Sequence, residues 1–206
     1  MKQYQSTKVI ELGSCAFRQW RANHSHCRFL HGYQLKAKIW FNCADLDNKN
    51  WVVDFGGLKE LKQILQHQFD HTTVVALDDP HLELFKRLDA EGVIQLRVLP
   101  LGVGIERAAE WVFITANTYV REMSDDRCWV DRVEVFEHDD NSALYKEDQY
   151  IGVGLGEPNE AVPVLINETK TGEPTEDEKA PASTGAPVGN QVTAGKSGWF
   201  AGTRFG

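Results

Sequence analysis

The sequence predicts an α+β domain, an antiparallel sheet with helices packed on one face, followed by a low-complexity tail. Three observations lead there. Segments with the two-residue repeat of strands come early and late in the chain, helical spacings fill its middle, and steady hydrophobic patterning stops near Gly156.

Tyr33 to Phe41 sets Leu35, Ala37 and Ile39 on one face and Gln34, Lys36 and Lys38 on the other, the pattern of a half-buried strand. Tyr4 to Arg18 is expected to be its neighbour. Trp51 to Phe55 reads as a short apolar strand ended by Gly56-Gly57. Leu58, Leu61, Ile64 and Leu65 then recur at helical spacing, so a helix is expected from about Gly57 to His67. Asp78-Asp79 before Pro80 signals a second helix start, Leu82, Phe85 and Leu88 follow, and Gly92 stops it. Val93 to Leu99 looks extended. Ile105 to Val120 is the longest predicted helix, with Ile105, Ala108, Ala109, Val112 and Ala116 as its apolar stripe. Trp129 to Phe136 alternates, read with Val130, Val133 and Val135 outward and Asp131, Arg132 and Glu134 inward. The turn-rich His138 to Asn141 leads on to Ser142–Lys146, which completes a hairpin.

With 206 residues, 42% hydrophobic and 25% charged, the chain suits one domain with some extra length. Its net charge of -8 offers no footprint for a nucleic acid. No apolar run has the length of a membrane span or the plan of a signal peptide, so a cytoplasmic protein without a membrane partner is expected. Cys15, Cys27, Cys43 and Cys128 form no C-x-x-C pair and are read as reduced thiols. The chain divides into residues 1–156 and a tail, 157–206, rich in Pro, Gly, Thr, Ala and Glu. That tail ends in an aromatic cluster, Gly198 to Gly206, which suits either docking to a protein partner or packing onto its own domain.

Three segments carry candidate chemistry. His24-Ser25-His26-Cys27-Arg28-Phe29-Leu30-His31-Gly32-Tyr33 concentrates imidazoles and a thiol, the preferred ligands of zinc, although such a loop also occurs without metal. In Asp70-His71 a carboxylate beside an imidazole can orient the ring and raise its basicity. Glu137, at a strand end, can accept two hydrogen bonds from an amino-pyrimidinone edge.

Taken together, these segments resemble the 6-pyruvoyl-tetrahydropterin synthase / 6-carboxytetrahydropterin synthase family. Cys27 to Gly32 is similar to its C-x-x-L-H-G-H signature, and Trp51 to Lys59 (WVVDFGGLK) to its strand-to-helix element. Phe69-Asp70-His71 resembles its L-D-H, Glu106 stands where the family has T-x-E-N, and Val133 to Lys146 resembles its closing hairpin. The resemblance covers roughly the first 150 residues, and the tail has no counterpart in it. It implies a tunnelling fold, with a four-stranded antiparallel sheet and helices on one face. Subunits of that fold form ring homo-oligomers, trimer-based or tetramers or hexamers, with sites between them. The implied substrate is 7,8-dihydroneopterin triphosphate, and the implied activity is that of a 6-carboxytetrahydropterin synthase on a route to 7-deazaguanine compounds such as queuosine, or that of the pyruvoyl-forming synthase. The implied roles are Cys27 as base, Asp70 with His71 as a proton relay from another subunit, and Glu137, with Glu106, as substrate-binding residues.

The family binds zinc through three histidines. Here only His31 matches, because Phe17 falls at the first-strand position and Tyr33 at the last. Three readings stay open: a zinc site rebuilt from His24, His26 and His31; a metal-independent enzyme; or a pterin-binding or assembly protein without turnover, docking through its tail.

Overall fold

The computed structural model describes residues 3–147, so the tail and its docking peptide lie outside the described residues. Six strands form one mixed sheet in the order β4-β3-β1-β2-β5-β6. They are β1 (Tyr4–Phe17), β2 (His31–Cys43), β3 (Thr72–Ala76), β4 (Leu96–Leu99), β5 (Cys128–His138) and β6 (Asn141–Tyr145). The helices are α1 (Lys59–Phe69), α2 (Leu82–Ala90) and α3 (Ile105–Met123). The expected four-stranded antiparallel sheet is present as β1, β2, β5 and β6. It is extended by β3 and β4, which run parallel to β1 and to each other.

Alternation along β2 buries Leu35, Ala37, Ile39 and Phe41 against the helices. Leu61, Leu65 and Phe69 of α1 and Ala108, Val112, Phe113, Ala116 and Val120 of α3 close over that face. Ile64, expected in the apolar stripe of α1, is exposed instead. Val74 of β3 joins this core, whereas Val75 points to the other face and meets Leu82 and Phe85 of α2.

Two further expectations are corrected. Val130, Val133 and Val135 face the core, so the outward reading of β5 is reversed. The register shift where Trp40 pairs with Arg132 and Phe41 with Val130 leaves Asp131 as an extra residue, and this bulge interrupts the alternation along β5. Trp51 to Phe55 is not a strand. Its carbonyls are satisfied by the Arg127 guanidinium, which donates to Trp51 O at 3.4 Å and Val52 O at 3.0 Å, while Asp47 Oδ1 accepts the Trp51 N–H at 2.8 Å. Among the described residues no helix is long and apolar enough to cross a membrane.

Candidate functional site

The site lies where the far ends of β1 and β5 meet the near ends of β2 and α3. After Phe17 the chain leaves the sheet, and the Gln19 N–H donates to Cys27 O at 2.8 Å, which pins the His26–Arg28 3-10 turn beside the strand ends. Ser25 caps that turn, its hydroxyl accepting the Cys27 N–H at 3.2 Å. A cavity of about 430 Å³ opens between these parts. Phe17, Gln19, Cys27 and Tyr33 line one side, Ile105 and Glu106 at the start of α3 another, and Glu137 with Asp140, Asn141 and Ser142 of the β5–β6 hairpin the third.

Of the residues singled out in the sequence, Cys27, Glu106 and Glu137 converge on this cavity. Cys27 is partly buried, while Cys15, Cys43 and Cys128 are fully buried. Burial pushes the Cys15 and Cys128 thiols up to about 11. The Glu137 side chain is 17% exposed, and its Oε1 accepts from Asn141 Nδ2 at 2.9 Å, so the hairpin turn holds the carboxylate in place. Gly104, at φ +129°, precedes α3 where a side chain would collide with the Gln19 amide 2.6 Å away and meet Glu106 Oε2 at 3.1 Å.

Asp70 and His71 do not line this cavity. They sit where α1 ends and β3 begins, with Asp70 capping the helix and His71 in the left-handed region at φ +57°. The turn is held by the His71 N–H donating to Ser14 O at 2.7 Å and the Ser14 N–H donating to Asp70 Oδ1 at 3.1 Å. His71 Nδ1 lies 2.8 Å from Asp70 Oδ1, and the ring is 83% exposed. The carboxylate therefore fixes one nitrogen and directs the other outward.

His24 and His26 are exposed on the 3-10 turn and its approach, and neither lines the cavity. His31 is committed on both sides: Nδ1 donates to Phe29 O at 2.6 Å, and Nε2 accepts from the Tyr33 hydroxyl. Burial pushes the Tyr33 phenol above its ordinary pKa, and the Glu137 carboxylate and Cys27 push the same way, so it keeps its proton at neutral pH. Phe17 stacks on Tyr33 with centroids 4.8 Å apart. Among the described residues no three His, Cys, Asp or Glu side chains are grouped to hold a metal, and the residues present do not fit a three-histidine zinc site. Gln19 carried no motif, and Asp140, Asn141 and Ser142, although within the hairpin segment Val133 to Lys146, were not singled out as site residues. Only the turn composition before Ser142 hinted at the hairpin that brings the last three to the cavity.

Comparisons with known proteins place the chain in a family. Residues 10–148 match the 6-pyruvoyl tetrahydropterin synthase family. A 6-carboxy-5,6,7,8-tetrahydropterin synthase of Rickettsia conorii is 31% identical over 61 residues, 29% of this chain. That match spans less than half, 44%, of the relative's length. Among solved structures, an uncharacterized protein from Wolinella succinogenes is similar at TM-score 0.62 and 18% identity, over 72% of this chain and 100% of its own. The 6-pyruvoyl tetrahydropterin synthase of Plasmodium vivax gives 0.52 and 16%, over 70% and 99%. At these identities the two structures speak for the fold alone. Since the family match runs from the first strand through the closing hairpin and takes in every part of the cavity, the chain belongs to the 6-pyruvoyl tetrahydropterin synthase family.

Proposed function

We propose that the chain converts 7,8-dihydroneopterin triphosphate in the manner of a 6-carboxytetrahydropterin synthase, on a route to 7-deazaguanine compounds. The observation that supports this most is the convergence of Cys27, Glu106 and Glu137, from three separate motifs, on one cavity of about 430 Å³. Spaces of roughly 300–1,000 Å³ are usual for small-molecule sites. The name of the Rickettsia relative adds the carboxy-forming reaction.

In this reading Glu137 accepts hydrogen bonds from the amino and ring N–H groups of the pterin, a role for which a carboxylate has acceptor sites to spare beyond the one given to Asn141. Cys27, as thiolate, takes a proton from the ligand side chain. With uptake of one water, breaking of the C1′–C2′ and C3′–O bonds releases acetaldehyde and triphosphate and leaves a C6 carboxylate on the ring, which gains the two electrons the side chain gives up. The Asp70-held His71 returns a proton, and since the pair lies outside this chain's cavity it serves the site of a neighbouring copy in a ring-shaped homo-oligomer. The cavity lining supports such sharing: among the described residues it contains Glu106, Glu137 and Asp140 but no Lys or Arg, so a second subunit is the proposed source of cations for the triphosphate. No step is assigned to zinc.

Incubation with dihydroneopterin triphosphate tests this reading. Release of both products by the native chain, lowered about 100-fold or more in Cys27→Ser, is expected; neither product, with or without added zinc, overturns it. The misfit to zinc favours a second reading, a pterin-binding or assembly protein. That reading expects Cys27→Ala and His71→Ala to leave biological activity intact and deletion of residues 198–206 to abolish it.

A further inference from the structure

Positions 17, 31 and 33 share one face at the β1–β2 end: Phe17 stands opposite His31 in the ladder, and Tyr33 follows two residues along. Their ring centroids form a triangle with sides of 6.4 Å (Phe17–His31), 4.8 Å (Phe17–Tyr33) and 4.8 Å (His31–Tyr33). Three imidazoles on one zinc, with Zn–N bonds of about 2.0–2.1 Å, place their centroids about 5 Å apart. Two of the three sides match that spacing and the Phe17–His31 side is wider, so the strand ends still bring three rings together at close to the spacing of a zinc site. Two of the three have no donor nitrogen, and the nitrogens of the third are occupied by Phe29 O and the Tyr33 hydroxyl.

We propose that this cluster is a metal-free replacement for a three-histidine zinc site, in which the Tyr33 oxygen is a hydrogen-bond acceptor for hydroxyls of the ligand side chain. A zinc ion takes lone pairs from ligand oxygens. A phenol whose own hydrogen is committed to His31 does the opposite and takes their hydrogens. The wall of the cavity stays suited to a hydroxylated side chain while the electrophile is gone, and the stacked Phe17 ring keeps the phenol in place. The ligand half of this proposal rests on the pterin reading, whereas the metal-free half does not.

Two measurements on the full chain test the halves separately. In the first, the native chain, Phe17→His/Tyr33→His, and the same double variant carrying His31→Ala are each given one equivalent of zinc, desalted against a weak chelator and analysed by elemental mass spectrometry. Circular dichroism checks folding. About 0.1 zinc or less per native chain, about 1 per double variant and a return to baseline in the triple variant are expected. Near-stoichiometric zinc in the native chain that is lost in His31→Ala overturns the metal-free claim, and this comparison stands even if the double variant does not fold. A folded double variant without zinc contradicts the triangle. In the second, fluorescence titration with neopterin should show binding weakened about tenfold in Tyr33→Phe; unchanged affinity overturns the acceptor role. No neopterin binding by the native chain removes that role together with the pterin reading, while the zinc counts still decide the first half.

Discussion

Cys27 differs from the other cysteines in its surroundings. It sits on a 3-10 turn at the cavity wall and is partly accessible, while Cys15, Cys43 and Cys128 are buried in the sheet core. Iodoacetamide at pH 8 is therefore expected to modify Cys27 first, with Cys15 and Cys128 untouched until the protein unfolds, because their thiols are pushed up to about 11. Peptide mass spectrometry reads the order, and early labelling of Cys15 would contradict it. At this scale the site was partly legible in the sequence. Cys27, Glu106 and Glu137 belong to motifs, whereas Gln19 and Asn141 reach the cavity only because the chain leaving β1 is tied to Cys27 O through the Gln19 N–H and the β5–β6 hairpin folds back. Contacts of that kind leave no local pattern.

Elements are held in register by groups the helix and strand periodicities do not reveal. The Asp79 side chain is fully buried and receives Arg18 Nε at 2.8 Å and Nη2 at 2.9 Å, joining the exit of β1 to the turn before α2. Asp78-Asp79 are expected to mark the start of the second helix, but α2 begins after His81 with no side-chain cap, and Asp79 serves the ion pair while accepting the His81 N–H at 2.8 Å. Burial alone would raise the Asp79 pKa, but the Arg18 and His81 hydrogen bonds outweigh it and leave the carboxyl below its usual range. A depressed carboxyl contributes its stability in full above the unfolded value of about 3.9 and loses it as pH falls through the folded value. Asp79→Ala should cost about 3 kcal/mol at pH 7 by urea denaturation, and the difference from the native chain should shrink in strong acid. An equal difference at both pH values would contradict the account.

Gly13 is the second such point. It occupies the register shift of β1 at φ +103°, and a Cβ there would lie 2.2 Å from Asp70 Oδ1. Gly13→Ala is expected to destabilise by about 2 kcal/mol, through strain and collision together, and to loosen the Asp70-His71 turn. Thermal denaturation checks the first effect. The strands β1, β2 and β5 were readable because each buries one face and β6 because a turn-rich segment precedes it, whereas β3 was missed since all five of its residues are buried and show no alternation. Trp51 to Phe55 misled for the opposite reason: it is apolar, with Val52 and Val53 both buried, but its backbone is satisfied by Arg127 and Asp47 in place of a strand.

For the whole molecule, the central claim is that one copy supplies Cys27 and Glu137 and another supplies Asp70 and His71. One chain holds the two groups at different places, one lining the cavity and the other exposed at the α1–β3 turn, which is the observation the proposed sharing rests on. The most direct measurement is complementation: Cys27→Ala and His71→Ala chains, coexpressed with different tags and purified as mixed oligomers, assayed for triphosphate release from dihydroneopterin triphosphate. Each variant alone should be inactive, and an even random mixture should recover about one quarter of native activity, the fraction of interfaces that pair an intact Cys27 with an intact His71. Full activity in His71→Ala alone, or no recovery in mixed oligomers of two inactive variants, would contradict a site shared between copies.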